Sequence, residues 1–215
     1  MPKLAIPLAH GASHAPAGSD PTYAHQGHLG AGRLETFTRY NATVDAAVLV
    51  TGTVYLSYIT PDTTTVITKI WAMSGSTAAA GTTLCRMGLY TVAANGDCTL
   101  VTQTANLLTG ATNESSGAGG LLLFSSGNLV MSGPLDSSIV ATYTMQRGVR
   151  YGGAIIFVGG TMPRIKGAGP GATGVISVMN PRAGGSLAGQ SDLPPSIPSA
   201  SVGGALIWPW MGFSS

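Results

Sequence analysis

The sequence predicts an all-β protein of short antiparallel strands, a sandwich or a barrel, and three observations predict it. Charge is sparse: 10 Lys and Arg and 8 Asp and Glu make up 8% of 215 residues, while hydrophobic residues reach 44%. Mean hydropathy is +0.30, so disorder, which needs low hydropathy and high charge, is excluded as a description of the whole chain. Gly (31), Thr (24) and Ser (20) are abundant, with two Glu and three Lys to solvate helix faces. That composition disfavours helices and suits strands joined by tight turns. Finally, β-branched and aromatic runs of strand length alternate with Gly, Pro, Asn and Asp clusters along the middle of the chain.

Residues 1–32 are rich in Ala, Gly, Pro and His, lack an apolar period, and read as an extended arm ordered by contact with something else. Residues 33–180 read as the β-domain. Val48–Tyr58 is the first strand run. Pro61 and Asp62 break it, and Thr64–Met73 resumes it. Residues 74–81 form a small-residue loop with room for one helical turn at 75–81. A hairpin of Thr83–Thr91 and Cys98–Thr104 follows, joined by residues 92–97 with Asn95-Gly96 as its turn signal. Pairing Thr91 with Cys98 sets Cys85 opposite Thr104, on one face with Met87, Leu89 and Leu100. The two Cys then lie roughly 20 Å apart at about 3.3 Å per residue, beyond disulfide reach. Both are expected to be reduced and buried. A polar loop (109–120) separates the hairpin from short apolar pieces at Leu121–Phe124 and Leu129–Met131. Ser138–Met145, Arg150–Val158 and Gly174–Met179 complete the strands. Residues 181–215 read as a Pro- and Gly-rich extended tail that docks through Trp208, Trp210 and Phe213.

Chemistry-bearing residues are few. The net charge of +2 is scattered, without the Lys/Arg run of a nucleic-acid partner. No apolar run approaches the roughly 18–20 residues of a membrane span, and the N-terminus is a poor signal peptide, so no membrane insertion is expected. His10 and His14 with Asp20, or His25 and His28, could suggest a metal site. Gly11, Pro16 and Gly18 deny the first pair a shared helix face, and these residues read as polar contacts of the arm, with no metal or cofactor. Asp20, Glu35, Asp45, Asp62, Asp97, Glu114, Asp136 and Asp192 supply no evident acid pair for glycoside cleavage. Every His lies in the arm, away from any Ser nucleophile in the β-domain. The Gly-rich stretches 27–32 and 167–174 lack phosphate-loop spacing. These readings disfavour an enzyme. Trp71, Tyr55, Tyr58, Tyr90, Tyr143 and Tyr151 read as core and cross-strand packing, with the loops 74–82 and 109–120 as the places to look for a glycan contact.

The stretch His10-Gly-Ala-Ser-His14-Ala-Pro-Ala-Gly-Ser-Asp20-Pro21 resembles the His-Ala-x-x-His-x-x-Gly-Gly-x-Asp-Pro start of actinobacteriophage minor tail and fibre proteins, with Ala17 where a Gly is usual. The run from Gly75 to Val92, Arg147-Gly-Val-Arg-Tyr151, the run from Gly189 to Ile197 and the terminal Trp208-Pro-Trp210 also resemble that family. The pieces occur in order over most of the chain. The resemblance implies a jelly-roll-like β-sandwich between an extended N-terminal arm and an extended C-terminal tail. It implies a virion structural protein, commonly a homotrimer, displayed on a tail or another appendage; the chain is expected to be made in the bacterial host cytoplasm, with other virion proteins as neighbours and a host-surface glycan as a further partner. A glycan-binding receptor module and a capsid decoration or head-fibre protein are the alternatives. His10, His14, Asp20, His25, His28, Trp208, Trp210 and Phe213 are the expected subunit or particle contacts.

Overall fold

The computed structural model describes residues 33–38, 41–45, 49–108, 112–113, 130–169, 183–205 and 207–215. The arm, the Leu121–Phe124 piece and the Gly174–Met179 strand lie outside the described residues. The strands are β1 (Leu34–Glu35), β2 (Val44–Asp45), β3 (Thr53–Ile59), β4 (Thr65–Ile67), β5 (Lys69–Met73), β6 (Ala80–Val92), β7 (Cys98–Gln103) and β8 (Thr112–Asn113), followed by β9 (Val130–Pro134), β10 (Tyr143–Met145), β11 (Tyr151–Thr161), β12 (Lys166–Ala168), β13 (Gly184–Leu187), β14 (Ser196–Ile197), β15 (Trp208–Pro209) and β16 (Met211–Ser214). Strand pairing is antiparallel throughout, and no α-helix occurs among the described residues. The all-β expectation holds.

A six-stranded sheet runs β13-β3-β11-β6-β7-β14, and a five-stranded sheet runs β1-β16-β5-β9-β8. Smaller sheets join β10 with β4, and β15 with β12 and β2. One buried cluster unites Leu34, Ile70, Met211 and Phe213 of the five-stranded sheet with Tyr55, Met87, Ile155 and Phe157 of the six-stranded sheet. The contact is close enough that a Cβ added to Gly153 in β11 would lie 2.8 Å from Phe213 Cζ and 3.1 Å from Met211 Sδ.

The six-stranded sheet is also covered on its other face. Val54, Leu56, Tyr90, Ala154 and Ile156 point there and are capped by Leu193, Ile197 and Val202 from the segment 190–205. Tyr90 ties that segment down by donating its hydroxyl to Pro194 O at 2.8 Å, and Arg86 pairs with Asp192 at 3.1 Å. Two-sided burial explains why the β11 run Ala154-Ile155-Ile156-Phe157 is apolar without alternation.

Several expectations are corrected. In the hairpin, Cys98 pairs with Val92 and Thr99 with Thr91, one residue out from the expected register. Because strand side chains alternate, that slip puts the two Cys on opposite faces: Cys85 packs with Met87 and Leu89, and Cys98 with Tyr90. The turn closes as a five-residue loop, Ala93 N donating to Asp97 O at 2.8 Å, with Gly96 at φ 89°. A bulge between Leu89 and Tyr90 shifts the register by one more residue, so Thr104 lies beside Met87, whose N–H donates to Thr104 Oγ1 at 3.1 Å, and not opposite Cys85 as expected. Both thiols are free and buried. Thr64–Met73 is two strands, because Thr68 donates its N–H to Ser214 O and accepts from Leu135 N, passing the chain from β10 to the five-stranded sheet. No helical turn forms at 75–81, since Ala80 already pairs with Thr161 and the Ser76 N–H is held by the Asp45 carboxylate at 3.1 and 3.2 Å. Past residue 183 the chain supplies four strands, and β16 lies between β1 and β5 inside a sheet. The segment expected to dock as a tail is thus part of the sheets.

Candidate functional site

Three groupings carry the polar and aromatic chemistry of the described residues. The first lies where the chain enters the sheets. Arg33 and Glu35 flank Leu34 on the face of β1 turned away from the main core, beside Trp71 and Trp210. The Arg33 guanidinium lies 3.8 Å from the Trp71 ring centroid, a cation–π stack. Trp210 is fully buried, and its Nε1 donates to Glu35 Oε2 at 3.2 Å. Trp71 Nε1 donates to Ser214 Oγ at 2.9 Å. Phe37, Ala42 and Met73 close over the two indoles.

Of the expected contact residues, Phe213 is buried between the sheets and Trp210 against Phe37 and Ala42, while Trp208 is half-buried and packs on the main core. Trp208 fits there because Gly184 leaves space against its ring. These three side chains serve the fold of their own chain. His10, His14, Asp20, His25 and His28 lie outside the described residues.

The second grouping is the set of acids. Asp97 accepts from Ser199 N at 2.7 Å and from Asn95 Nδ2 at 2.8 Å. These bonds hold its carboxyl below the usual range, Ser199 foremost. Asp136 accepts from the Ser138 hydroxyl at 2.7 Å and from its N–H at 2.9 Å, with the same consequence. Asp192 pairs with Arg86 and accepts from Leu193 N at 2.7 Å. Each of these acids organises a turn or ties two segments together. Among the described residues no three His, Cys, Asp or Glu are grouped to hold a metal ion.

The third is a cleft of about 150 Å³ at the hairpin end of the six-stranded sheet. Tyr58 from β3 and Arg150 just before β11 line one part of it, Asn95 from the hairpin loop and Ser199 from the turn Ser199–Ser201 another. Val92 and Val202 give it an apolar lining. The Arg150 guanidinium lies 4.5 Å from the Tyr58 ring centroid. Burial pulls Arg150 below its usual value, opposed by Tyr58 and Cys98 nearby. A guanidinium stays cationic at neutral pH even so. The Tyr58 hydroxyl in turn contacts Cys98 Sγ at 3.9 Å.

Of the six aromatics weighed for stacking, Trp71, Tyr55, Tyr90 and Tyr151 are buried. Tyr58 borders the cleft, and Tyr143 packs edge-on to Tyr151 with centroids 6.2 Å apart. Sequence reasoning placed any glycan contact on loops 74–82 and 109–120 and missed Arg150 and Ser199. Only the Asn95-Gly96 turn signal pointed at this end of the molecule. No protein-family model matches the chain, and no curated protein matches it.

Proposed function

We propose that this chain is a non-enzymatic structural subunit of a phage particle, a minor tail or fibre-type protein. In this reading the two large sheets form a displayed jelly-roll-like β-sandwich, residues 1–32 attach it to the virion, and three copies associate. The observation that carries the reading is the root of the arm. Residues 33–35 enter at a sheet edge, where Leu34 pairs with Phe213 and Arg33 stacks on Trp71. A segment anchored this way can transmit load to a folded body without unfolding it. Trp208, Trp210 and Phe213 are engaged within the chain, so particle contacts fall to the arm. Side chains such as Val66, 47% exposed on β4, and Val149, 39% exposed after β10, give sister copies apolar surface to cover. The ordered resemblance along the sequence supplies the particle type. A capsid decoration or head-fibre position would use the same contacts.

The test is mass spectrometry and immunolabelling of purified particles of the phage that encodes the chain. Recovery at a fixed copy number, with label on the tail, supports the reading. A chain found only in the infected-cell lysate overturns it. The glycan-binding alternative draws support from the Tyr58–Arg150 cleft.

A further inference from the structure

Two strands that neighbour each other at the root of the arm depend on each other unequally. Among the described residues β1 is the edge of its sheet, and β16 is the strand beside it. Leu34 pairs with Phe213 and Glu35 with Gly212. Thr36 extends the contact: its N–H donates to Met211 O at 2.9 Å, and its Oγ1 accepts from Met211 N at 3.1 Å. On its other edge β16 is paired along its whole length with β5, from Met211 opposite Ala72 to Ser214 opposite Lys69. There Thr68 N donates to Ser214 O at 2.7 Å, and Trp71 Nε1 donates to Ser214 Oγ at 2.9 Å. β16 therefore keeps a place in the sheet without β1, whereas β1 takes its place from β16.

Further contacts of the root lead back to β16. Arg33 stacks on Trp71 of β5, but that indole is itself set by Ser214. Glu35 accepts from Nε1 of Trp210, the residue before β16. Phe37 and Ala42 pack with the same two indoles. The fit is close, since a Cβ at Gly212 would lie 3.2 Å from Arg33 Cδ and 3.3 Å from both Trp210 Cη2 and Trp71 Cβ. Chain order sharpens the asymmetry. Thr36 and Met211 are 175 residues apart, and synthesis runs from the N-terminal side. Residues 33–36 are made long before the strand that pairs with them.

We propose that β16 is a latch for the root of the arm: residues 33–38 dock only once β16 is seated on β5, and the dependence runs one way. For attachment the consequence, which rests on the reading above, is that residues 1–32 become a load-bearing tether only on a body whose β16 is in place.

Residue-resolved amide exchange on the full chain reads the order of opening. Successive residues of a strand turn their backbone groups to opposite neighbours. Met211 N and O meet Thr36, and Ser214 O meets Thr68, so the Gly212 and Ser214 amides face β5. In the unaltered chain the Thr36 amide is expected to be no better protected than those of Gly212 and Ser214, because it cannot stay closed while β16 is open. Ser214→Ala loosens β16 from the β5 side, and should speed exchange at Gly212 and Thr36 alike by roughly two- to tenfold, the worth of one hydrogen bond. Thr36→Val acts from the β1 side, and should speed Thr36 while leaving Gly212 and Ser214 unchanged. The unaltered chain decides the matter if either substitution disturbs folding. A Thr36 amide better protected than Gly212 and Ser214, a Ser214→Ala chain in which Thr36 keeps its protection, or a Thr36→Val chain in which Gly212 opens as readily as Thr36 would overturn the proposal. The exchange is read on the isolated chain, so absence of the chain from particles would count against the attachment reading and leave the one-way docking standing.

Discussion

Adding one methyl group at Gly153 tests the meeting of the two large sheets. Its new Cβ would sit 2.8 Å from Phe213 Cζ, 3.1 Å from Met211 Sδ and 3.4 Å from Met211 Cβ. Phe213 is 0% exposed and cannot swing into solvent. Overpacking of this kind costs about 1–3 kcal/mol, set against the roughly 0.5–1 kcal/mol that Ala gains over Gly within a strand. The net expectation for Gly153→Ala is a loss of about 1–2 kcal/mol. Phe213→Leu removes the far end of the ring and costs roughly 1–2 kcal/mol by itself. It also vacates the space the methyl would enter. Gly153→Ala in the Phe213→Leu background should therefore cost nothing or stabilise slightly, a coupling of about 1–2 kcal/mol between residues 60 positions apart in the chain. Urea unfolding of the four proteins of the cycle measures it. Additive effects within about 0.3–0.5 kcal/mol would show that the residues do not touch and refute the face-to-face packing.

Three further outcomes are expected. Mass mapping without reductant should find no disulfide, and Cys85→Ala should cost about 1–2 kcal/mol through lost packing; a Cys85–Cys98 bridge would contradict the opposite-face register. Asp97 and Asp136 are held below the ordinary 3.8 by their Ser199 and Ser138 hydrogen bonds, so their stabilisation is complete above that value and is lost as pH falls through the lower folded-state values. Acid titration of the unfolding free energy should show that decline, and Asp97→Asn should flatten part of it; an unchanged slope would contradict the clamp. Trp210→Phe deletes the bond to Glu35 together with part of a fully buried ring, and should cost about 1–3 kcal/mol in thermal or urea unfolding; a neutral result would show that neither the bond nor the packing of the indole contributes.

What the sequence made legible follows the length of the signal. The β11 run Ala154–Val158 and the hairpin around Asn95-Gly96 are long or sharply punctuated, and both occur where expected. The hairpin register was less secure, because a turn signal fixes a loop only to within a residue and one residue exchanges the faces. Strands β13 to β16 are two to four residues long and set among prolines and glycines. Segments so short show no period, and they gain their partners only from chain far away in sequence, as Phe213 does from Leu34 and Ile70. The cleft was hidden for the same reason. Tyr58, Asn95, Arg150 and Ser199 come from four separate stretches that antiparallel pairing and the Asp97–Ser199 bond bring to one end. The predicted loss of exposed tail aromatics was legible in kind, since large rings seek burial; their place inside a sheet was not.

The most direct measurement of the central claim is particle incorporation of a chain lacking residues 1–32, made alongside the full chain in infected cells. The account predicts that the shortened chain keeps the strand-rich circular dichroism spectrum and melting transition of the full chain, associates with itself to the same stoichiometry by light scattering, and is missing from purified particles. A shortened chain that folds and still enters the particle at the normal copy number would contradict attachment through the arm and place the contact on the folded body.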